Sequence, residues 1–303
     1  MEMHQLRYFL AVVRTQNFSR AAQECHVAQP SLSQQIRKLE EELGEPLFFR
    51  RPQGAILTDA GNLLLPHAQQ VLREVAQAQR TISQSGAAVK GRLVLGVLPT
   101  IAPYLLPRLL DTYHRRYPEV EVTVQEEITP RLLGELTEGG MDLALLSLPV
   151  DTGAEQLIFE EELLLVLPED HPFTALETVP IKELSGERFI LMQDGHCLAG
   201  QALELCFTHG DFTPRISCRS AQVETLLEMV RCGLGISIIP RMAARPADGL
   251  LFRSFSGAPP LRKVGFAWQR DRFWPAAGKA MVDLGLEMLP GIFGMAAATP
   301  CLP

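Results

Sequence analysis

Ala28-Gln29-Pro30-Ser31-Leu32-Ser33-Gln34-Gln35-Ile36-Arg37-Lys38-Leu39-Glu40-Glu41-Glu42-Leu43-Gly44 carries its own helix punctuation. Pro30 and Ser31 suit a first turn, where a missing N–H is no loss, and Gly44 suits the left-handed position just past the last turn. Between them Leu32, Ile36, Leu39 and Leu43 fall at i, i+4, i+7 and i+11, a stripe that faces a core. Ser31, Ser33, Gln34, Arg37 and Lys38 point elsewhere, and these are residue types that bond base edges and phosphates. The plainer reading of that face is a solvated helix surface. Its neighbours favour the other. Leu6, Phe9, Leu10 and Val13 predict a first helix in residues 1–16, and Asn17 or Ser19 can cap a second, Ser19–Cys25, whose Ala21 and Ala22 permit close helix contact. His26-Val27-Ala28 is a tight connection. This order of helix, short helix, turn and helix predicts a helix-turn-helix. The following Phe48–Thr58, with a basic entry at Arg50 and Arg51, predicts a hairpin that would serve as a wing.

Residues 60–85 read as one long helix. Leu64, Ala68, Val71, Val75, Ala78 and Ile82 step by 4, 3, 4, 3 and 4, the 3.5-residue period of a coiled-coil seam. The alternative is an amphipathic helix packed on its own domain. The seam is favoured because no comparable apolar stretch precedes it. Pro66 lies near the helix start, where a bend is expected, and Ser83–Ala88 reads as a hinge. From Gly91 the pattern becomes α/β. Strands are predicted at Arg92–Leu98, Val120–Gln125, Asp142–Ser147, Leu163–Leu167, near Ile216, at Gly235–Pro240 and at Val264–Trp268. Helices are predicted at Pro103–Tyr117, from Thr129-Pro130 to Gly139 with Thr129 as N-cap, at Val223–Arg231 and at Pro275–Met288. Such alternation predicts parallel or mixed sheets covered on both faces.

Composition narrows the function. The chain has 303 residues, 47% hydrophobic and 21% charged, as expected of a soluble protein with real cores. No apolar run approaches a membrane span, and Glu2 stands where a secretory signal wants Lys or Arg, so a cytoplasmic location is expected. Six cysteines are too few for a disulfide scaffold and lack zinc spacing. No metal and no cofactor is expected. With no phosphate loop or Ser-His-Asp arrangement, an enzyme is not expected either. Of 28 basic and 35 acidic residues, seven and six lie in residues 1–58, so nearly all of the net −7 charge sits beyond them. A weakly basic head on an acidic body permits DNA binding without proving it.

Asp194-Gly195-His196-Cys197-Leu198 reads as a turn opening a helix from about Leu198, with Cys206 nine positions past Cys197. A helix would hold their Cα atoms about 13 Å apart, on opposite faces, whereas a disulfide needs about 7 Å or less. If the segment is helical, these thiols join only by unwinding it. Cys197 sits at the predicted helix start, where the dipole favours thiolate. Thr100 ends a strand and Thr129 begins a helix, places where hydroxyls line clefts. Cys25, Cys232 and Cys301 read as small hydrophobes. Cys218, on a predicted strand, reads as structural, although its nearness leaves it as an alternative resolver.

Leu6-Arg7-Tyr8-Phe9, Asn17-Phe18-Ser19-Arg20-Ala21-Ala22, Ala28–Ile36, Leu39-Glu40-Glu41-Glu42-Leu43-Gly44 and Leu57-Thr58-Asp59-Ala60-Gly61 together resemble the head of LysR-type transcriptional regulators. The resemblance implies an α+β multidomain chain. It would comprise a winged helix-turn-helix (1–58), a dimerising linker helix and hinge (59–90), and a two-lobed α/β sensor domain like periplasmic binding proteins (91–303). It also implies that Gln29, Pro30, Ser31, Ser33 and Gln34 enter a major groove of double-stranded DNA, with Arg37 on the same helix and Arg50 in the wing. Gln53 and Gly54 stand where the family usually has a further basic residue, for which Arg51 can substitute. A homodimer or homotetramer and contact with RNA polymerase are implied, and no membrane.

Leu98–Pro107, Asp194–Leu198 and Cys206 further resemble the peroxide-sensing, OxyR-type branch of that family. There the cysteine matching Cys197 is oxidised by hydrogen peroxide to a sulfenic acid and resolved as a disulfide by the one matching Cys206. Thr100, Thr129 and His196 match positions lining the peroxide pocket. Two departures stand out: Gly200 replaces an acidic residue, and Gln269, followed by Arg270, replaces a basic one. The rival reading is a LysR-type regulator that responds to a small metabolite between its lobes, with both cysteines structural.

Overall fold

Leu6, Phe9 and Val12 share a face of α1 (Met3–Thr15) and are buried, with Leu10 and Val13 packed beside them. α2 (Phe18–Glu24) starts one residue before the predicted Ser19 because Asn17 takes the cap: its Oδ1 accepts the N–H of Ser19 at 2.9 Å and of Arg20 at 3.1 Å. α3 (Gln29–Leu43) holds Pro30 in its first turn and ends at Gly44, whose φ of +77° is easy only for glycine. Leu32, Ile36 and Leu39 are buried as expected. Leu43 is not. It lies on the stripe but is 43% exposed, because periodicity gives a side chain its direction and cannot supply a neighbour at the helix end.

β1 (Phe48–Arg51) and β2 (Gly54–Leu57) form the predicted antiparallel hairpin. Glu40 on α3 receives the Leu47 N–H at 2.9 Å. Thr58 Oγ1 donates to the Pro46 carbonyl at 2.6 Å and accepts the Gly61 N–H at 3.0 Å, capping α4 (Asp59–Ser83). The proposed seam needs correcting at its start. Ala68 is buried in the head's own core and Leu64 packs against it, whereas Val71 is exposed. Over two turns a 3.5-residue period cannot be told from 3.6. The structure, a computed structural model, describes residues 1–51, 54–83, 89–245, 248–270 and 275–292. Gln53, most of the hinge and the Ile82 side chain thus lie outside the described residues. The chain divides into two compact units, Met1–Ser83 and Gln84–Pro303.

In the second unit β3 (Gly91–Val97), α5 (Ala102–Arg116), β4 (Val120–Glu126), α6 (Thr129–Glu138) and β5 (Leu143–Leu148) form a βαβαβ lobe, with β3 parallel to both other strands. β6 (Gly153–Pro168) is longer than the predicted Leu163–Leu167 because it serves two lobes. Further along lie β7 (Thr178–Val179), β8 (Arg188–Met192), α7 (Cys197–Leu205), β9 (Arg215–Ser220), α8 (Val223–Arg231), β10 (Ser237–Pro240), β11 (Leu250–Phe255), β12 (Leu261–Gln269) and α9 (Ala276–Ile292). β12 pairs with β5 and with the 153–162 part of β6, and β10 and β11 pair with its 163–168 part. The result is the expected mixed sheet. β8 and β9 pair separately, in parallel.

Thr129 is not the cap of α6. Ile128 takes that position, and both Thr129 and Pro130 enter the first turn. Backbone approach is close where β12 crosses β6: a Cβ on Gly265 would lie 2.3 Å from the Gln156 carbonyl oxygen. Gly265→Ala is therefore expected to destabilise the protein by about 1–3 kcal/mol. Gly134→Ala in α6, where a Cβ meets nothing within 4 Å, should stabilise it by up to about 1 kcal/mol. Denaturant melts of the two variants check the opposite signs.

Candidate functional site

The residues expected to form sites fall into two groups, one in each unit. In the head, Gln29, Pro30, Ser31, Gln34, Arg37 and Lys38 are exposed on α3. Ser33 departs from expectation. It is buried and its Oγ accepts from Gln29 Nε2 at 3.0 Å, because it borders the apolar stripe of Leu32 and Ile36. It can orient Gln29 but is not free to meet a ligand itself. Arg50 and Arg51 lie on β1, and their side chains are outside the described residues. Gly54 has a local reason for being glycine: with φ +147°, a Cβ there would stand 2.7 Å from the Gln16 carbonyl oxygen.

In the second unit the turn after β8 carries His196 into α7. The Gln193 N–H donates to the Ser220 carbonyl at 2.8 Å, and Arg219 on β9 holds the Asp194 carboxylate at 2.8 Å. Gly195 has φ +93°, which the turn requires, and sits where a Cβ would meet Ile128 at 2.8 Å. The Cys197 turn thus lies against the residue that precedes Thr129. His196 is buried, and burial lowers its pKa below the usual histidine value, which favours a neutral ring with an acceptor nitrogen.

Cys197 is the first residue of α7 and half-buried, one position ahead of the predicted start. The α-helix runs unbroken to Leu205, and Cys206 continues in helical backbone into a π-helical turn, Cys206–Gly210. Both thiols are free. Nine helical steps place the two Cα atoms about 13 Å apart, so the expected incompatibility with a disulfide holds for this conformation. Cys206 is almost fully buried, and burial pushes its thiol up to about 11. Cys218 is half-buried on β9, and Cys232 is exposed beyond α8.

Sequence reasoning missed four side chains. Gln201 on α7 donates to Ser147 Oγ at 3.0 Å, while its Oε1 is buried without a partner. Thr129 Oγ1 is buried without a partner as well. An unmet buried polar atom costs about 1–3 kcal/mol, so these two invite a small polar molecule. Thr100, after β3, is instead held from behind. Arg262 Nη1 donates to its Oγ1 at 3.0 Å, and Arg262 pairs with Glu161, both side chains wholly buried. Their signal was present: Glu161 alternates with Phe159 and Leu163, the period of an inward-facing strand position. Arg219 completes the four. At the second departure, Gln269 Nε2 donates to Thr137 on α6 at 3.2 Å, and Arg270 is exposed. Among the described residues no cluster of metal-ligating side chains occurs, and no helix is long and apolar enough to cross a membrane.

Residues 3–62 match the bacterial regulatory helix-turn-helix protein, lysR family, and residues 86–290 match the LysR substrate binding domain. The chain is 38% identical over 274 residues to a DNA-binding transcriptional dual regulator, OxyR, of Escherichia coli, covering 89% of this chain and 90% of that one. It is also 38% identical to a hydrogen peroxide-inducible genes activator of Dickeya chrysanthemi, covering 95% of this chain and 97% of the other. Among solved structures, a full-length OxyR variant of Pseudomonas aeruginosa superimposes with a TM-score of 0.75 at 30% identity, covering 99% of both chains.

The burial of Cys206 has two measurable consequences. Its raised pKa adds stability that is fully present below pH about 9 and is lost as pH climbs towards 11. Chemical denaturation between those values should fall more steply for the native protein than for Cys206→Ser. Iodoacetamide should also label Cys197 at least about tenfold faster than Cys206 in the folded, reduced protein, as peptide mapping would show.

Proposed function

This chain belongs to the LysR family of bacterial regulators, in its OxyR branch, and on that footing we propose that it is a DNA-binding transcriptional regulator that senses hydrogen peroxide at Cys197. The observation that supports this most is one helix with a half-buried thiol at its first residue and a buried thiol just past its last. The Cys197 thiolate attacks a peroxide oxygen, the O–O bond breaks, and the departing hydroxide takes a proton to leave as water. Cys197 is left as a sulfenic acid. Once α7 opens, the Cys206 sulfur attacks the Cys197 sulfur, the S–S bond forms and a second water leaves. Two thiols lose two electrons, and one peroxide becomes two waters.

Thr100, Thr129 and His196 line the pocket in this reading. The two unpartnered atoms, Thr129 Oγ1 and Gln201 Oε1, are available to hold a peroxide that both donates and accepts. Loss of α7 would remodel the sensor surface and alter the spacing of two heads on DNA. Gln29, Pro30, Ser31 and Gln34 would enter the major groove with Ser33 orienting Gln29, Arg37 would meet the backbone, and Arg50 and Arg51 would serve from the wing. The working form is a homodimer or homotetramer joined through α4, acting in the cytoplasm on promoter DNA and RNA polymerase rather than as an enzyme.

A brief pulse of micromolar peroxide followed by thiol trapping should convert Cys197 and Cys206 together into one cross-linked peptide pair. Independent loss of the two thiols, or a link to Cys218, would sink the reading. Gly200 bears on the equilibrium. A Cβ there meets nothing within 4 Å, so Gly200→Ala should strengthen α7 by up to about 1 kcal/mol. The disulfide's equilibrium constant, read by redox titration against glutathione, should then fall by about fivefold. On DNA, Arg37→Ala should weaken binding across sequences and reduce the log–log salt slope by about one.

A further inference from the structure

We infer that Arg262, locked by Glu161, is a positioning residue that fixes the Thr100 hydroxyl as a hydrogen-bond donor towards the peroxide. The inference rests on the peroxide reading above. Glu161 on β6 and Arg262 on β12 face each other in register, next to the point where β6 passes from one lobe's pairing to the other's. Arg262 Nε donates to Glu161 Oε1 at 2.8 Å, and Nη2 donates to the same oxygen. Glu161 Oε2 accepts the Met242 N–H at 3.0 Å, so the carboxylate is held from both sides. What remains of the guanidinium fork meets Thr100 and, through Nη2, the Met242 sulfur at 3.5 Å. Nη1 donates to its Oγ1 at 3.0 Å and Nη2 to its carbonyl at 3.4 Å.

A threonine hydroxyl carries one proton and two lone pairs, whereas a guanidinium can only donate. The lone pair facing Arg262 is therefore occupied, and the Thr100 proton cannot point that way. Among the described residues no acceptor receives it. Left to itself, this hydroxyl would rotate and offer a proton or a lone pair according to the ligand. Beside Arg262 it is held as a donor and polarised by a charge that no water screens. Breaking the O–O bond builds negative charge on the departing oxygen, and a donor fixed in advance stabilises that charge without reorganising. Stability alone is a weak reason for such a pair, since apolar residues of similar volume would hold two strands as well.

The test uses the full chain carrying Cys206→Ser, so that oxidation of Cys197 stops at sulfenic acid. Rate constants of Cys197 are measured with hydrogen peroxide and with iodoacetamide, which needs the thiolate but builds no charge on oxygen. Replacing the pair by two neutral amides (Glu161→Gln with Arg262→Gln) should lower the peroxide rate at least about tenfold and leave the iodoacetamide rate within about twofold. Added to Thr100→Val, the same replacement should change the peroxide rate by less than about twofold, because its effect passes through the missing hydroxyl. An unchanged peroxide rate, an equal fall in the Thr100→Val background, or a parallel fall with iodoacetamide would each overturn the inference. If the neutral pair does not fold, Arg262→Lys is read by the same criteria, since it keeps a charge opposite Glu161 but loses the fork. A parent protein whose Cys197 gives no sulfenic acid with peroxide removes the peroxide reading and this inference together. A reactive parent with an unaffected variant removes only the inference.

Discussion

The Glu161–Arg262 ion pair is the buried constraint that ties β6, β12 and Thr100 together. Each charge loses several kcal/mol of hydration on burial, and what offsets that loss is a set of bonds reaching in three directions. The carboxylate takes the Met242 N–H, the guanidinium takes Thr100, and the two hold β6 to β12 in register. Removing one partner would leave the other charged and unpaired, at a cost of about 3–5 kcal/mol. The lobes have a second tie where Tyr104 on α5 donates to Glu224 on α8 at 3.2 Å, with Arg245 over the Tyr104 ring at 5.3 Å. The cysteine helix is held to the first lobe more lightly, by the Gln201–Ser147 bond and by contact of Gly195 with Ile128. The frame is thus anchored by buried charge, whereas α7 and its turn meet the first lobe through neutral groups.

Much of this was legible wherever the signal is local. Pro30 and Gly44 delimit α3 within a residue, and Asn17 announces α2, since caps and prolines act on their own neighbourhood. Periodicity was a weaker guide where it had to imply a neighbour. Leu43 lies on the apolar stripe yet is exposed, Ser33 is drawn under the edge of that stripe, and Leu64 and Ala68 serve the head's core. Thr129-Pro130 fits an N-cap with N1 as well as the first two helical positions. The observed choice leaves the hydroxyl unbonded, which bears on a site more than a cap would.

The buried pair was hidden for a different reason. Glu160, Glu161 and Glu162 are chemically alike, and only strand alternation marks the middle one as inward-facing. Its partner lies 101 positions later, and no local rule links residues so far apart. β8 and β11 escaped similarly: one merges with the apolar lead-in to the cysteine turn, and the other carries Arg253 and Ser254 within its span. Long-range pairing made both.

The two thiols are kept apart by more than distance. While α7 is intact, Cys206 lacks the reach to bridge about 13 Å, and its burial disfavours the thiolate needed to attack. In the proposed switch, opening the helix would relieve both at once, so that geometry and ionisation would be gated by a single event. The anchors along α7 are unequal. Its first residue follows a turn fixed by the Gln193–Ser220 and Asp194–Arg219 bonds, whereas beyond Leu205 the helix loosens into a π turn that ends at Asp211 in left-handed backbone, a form less well bonded than the α-helix. Closing a ten-residue loop in the opened segment would itself cost about 2.7 kcal/mol of chain entropy. In the proposed switch the peroxide oxidation must therefore supply both that cost and the lost anchoring of α7, while the frame around Glu161 and Arg262 stays in place.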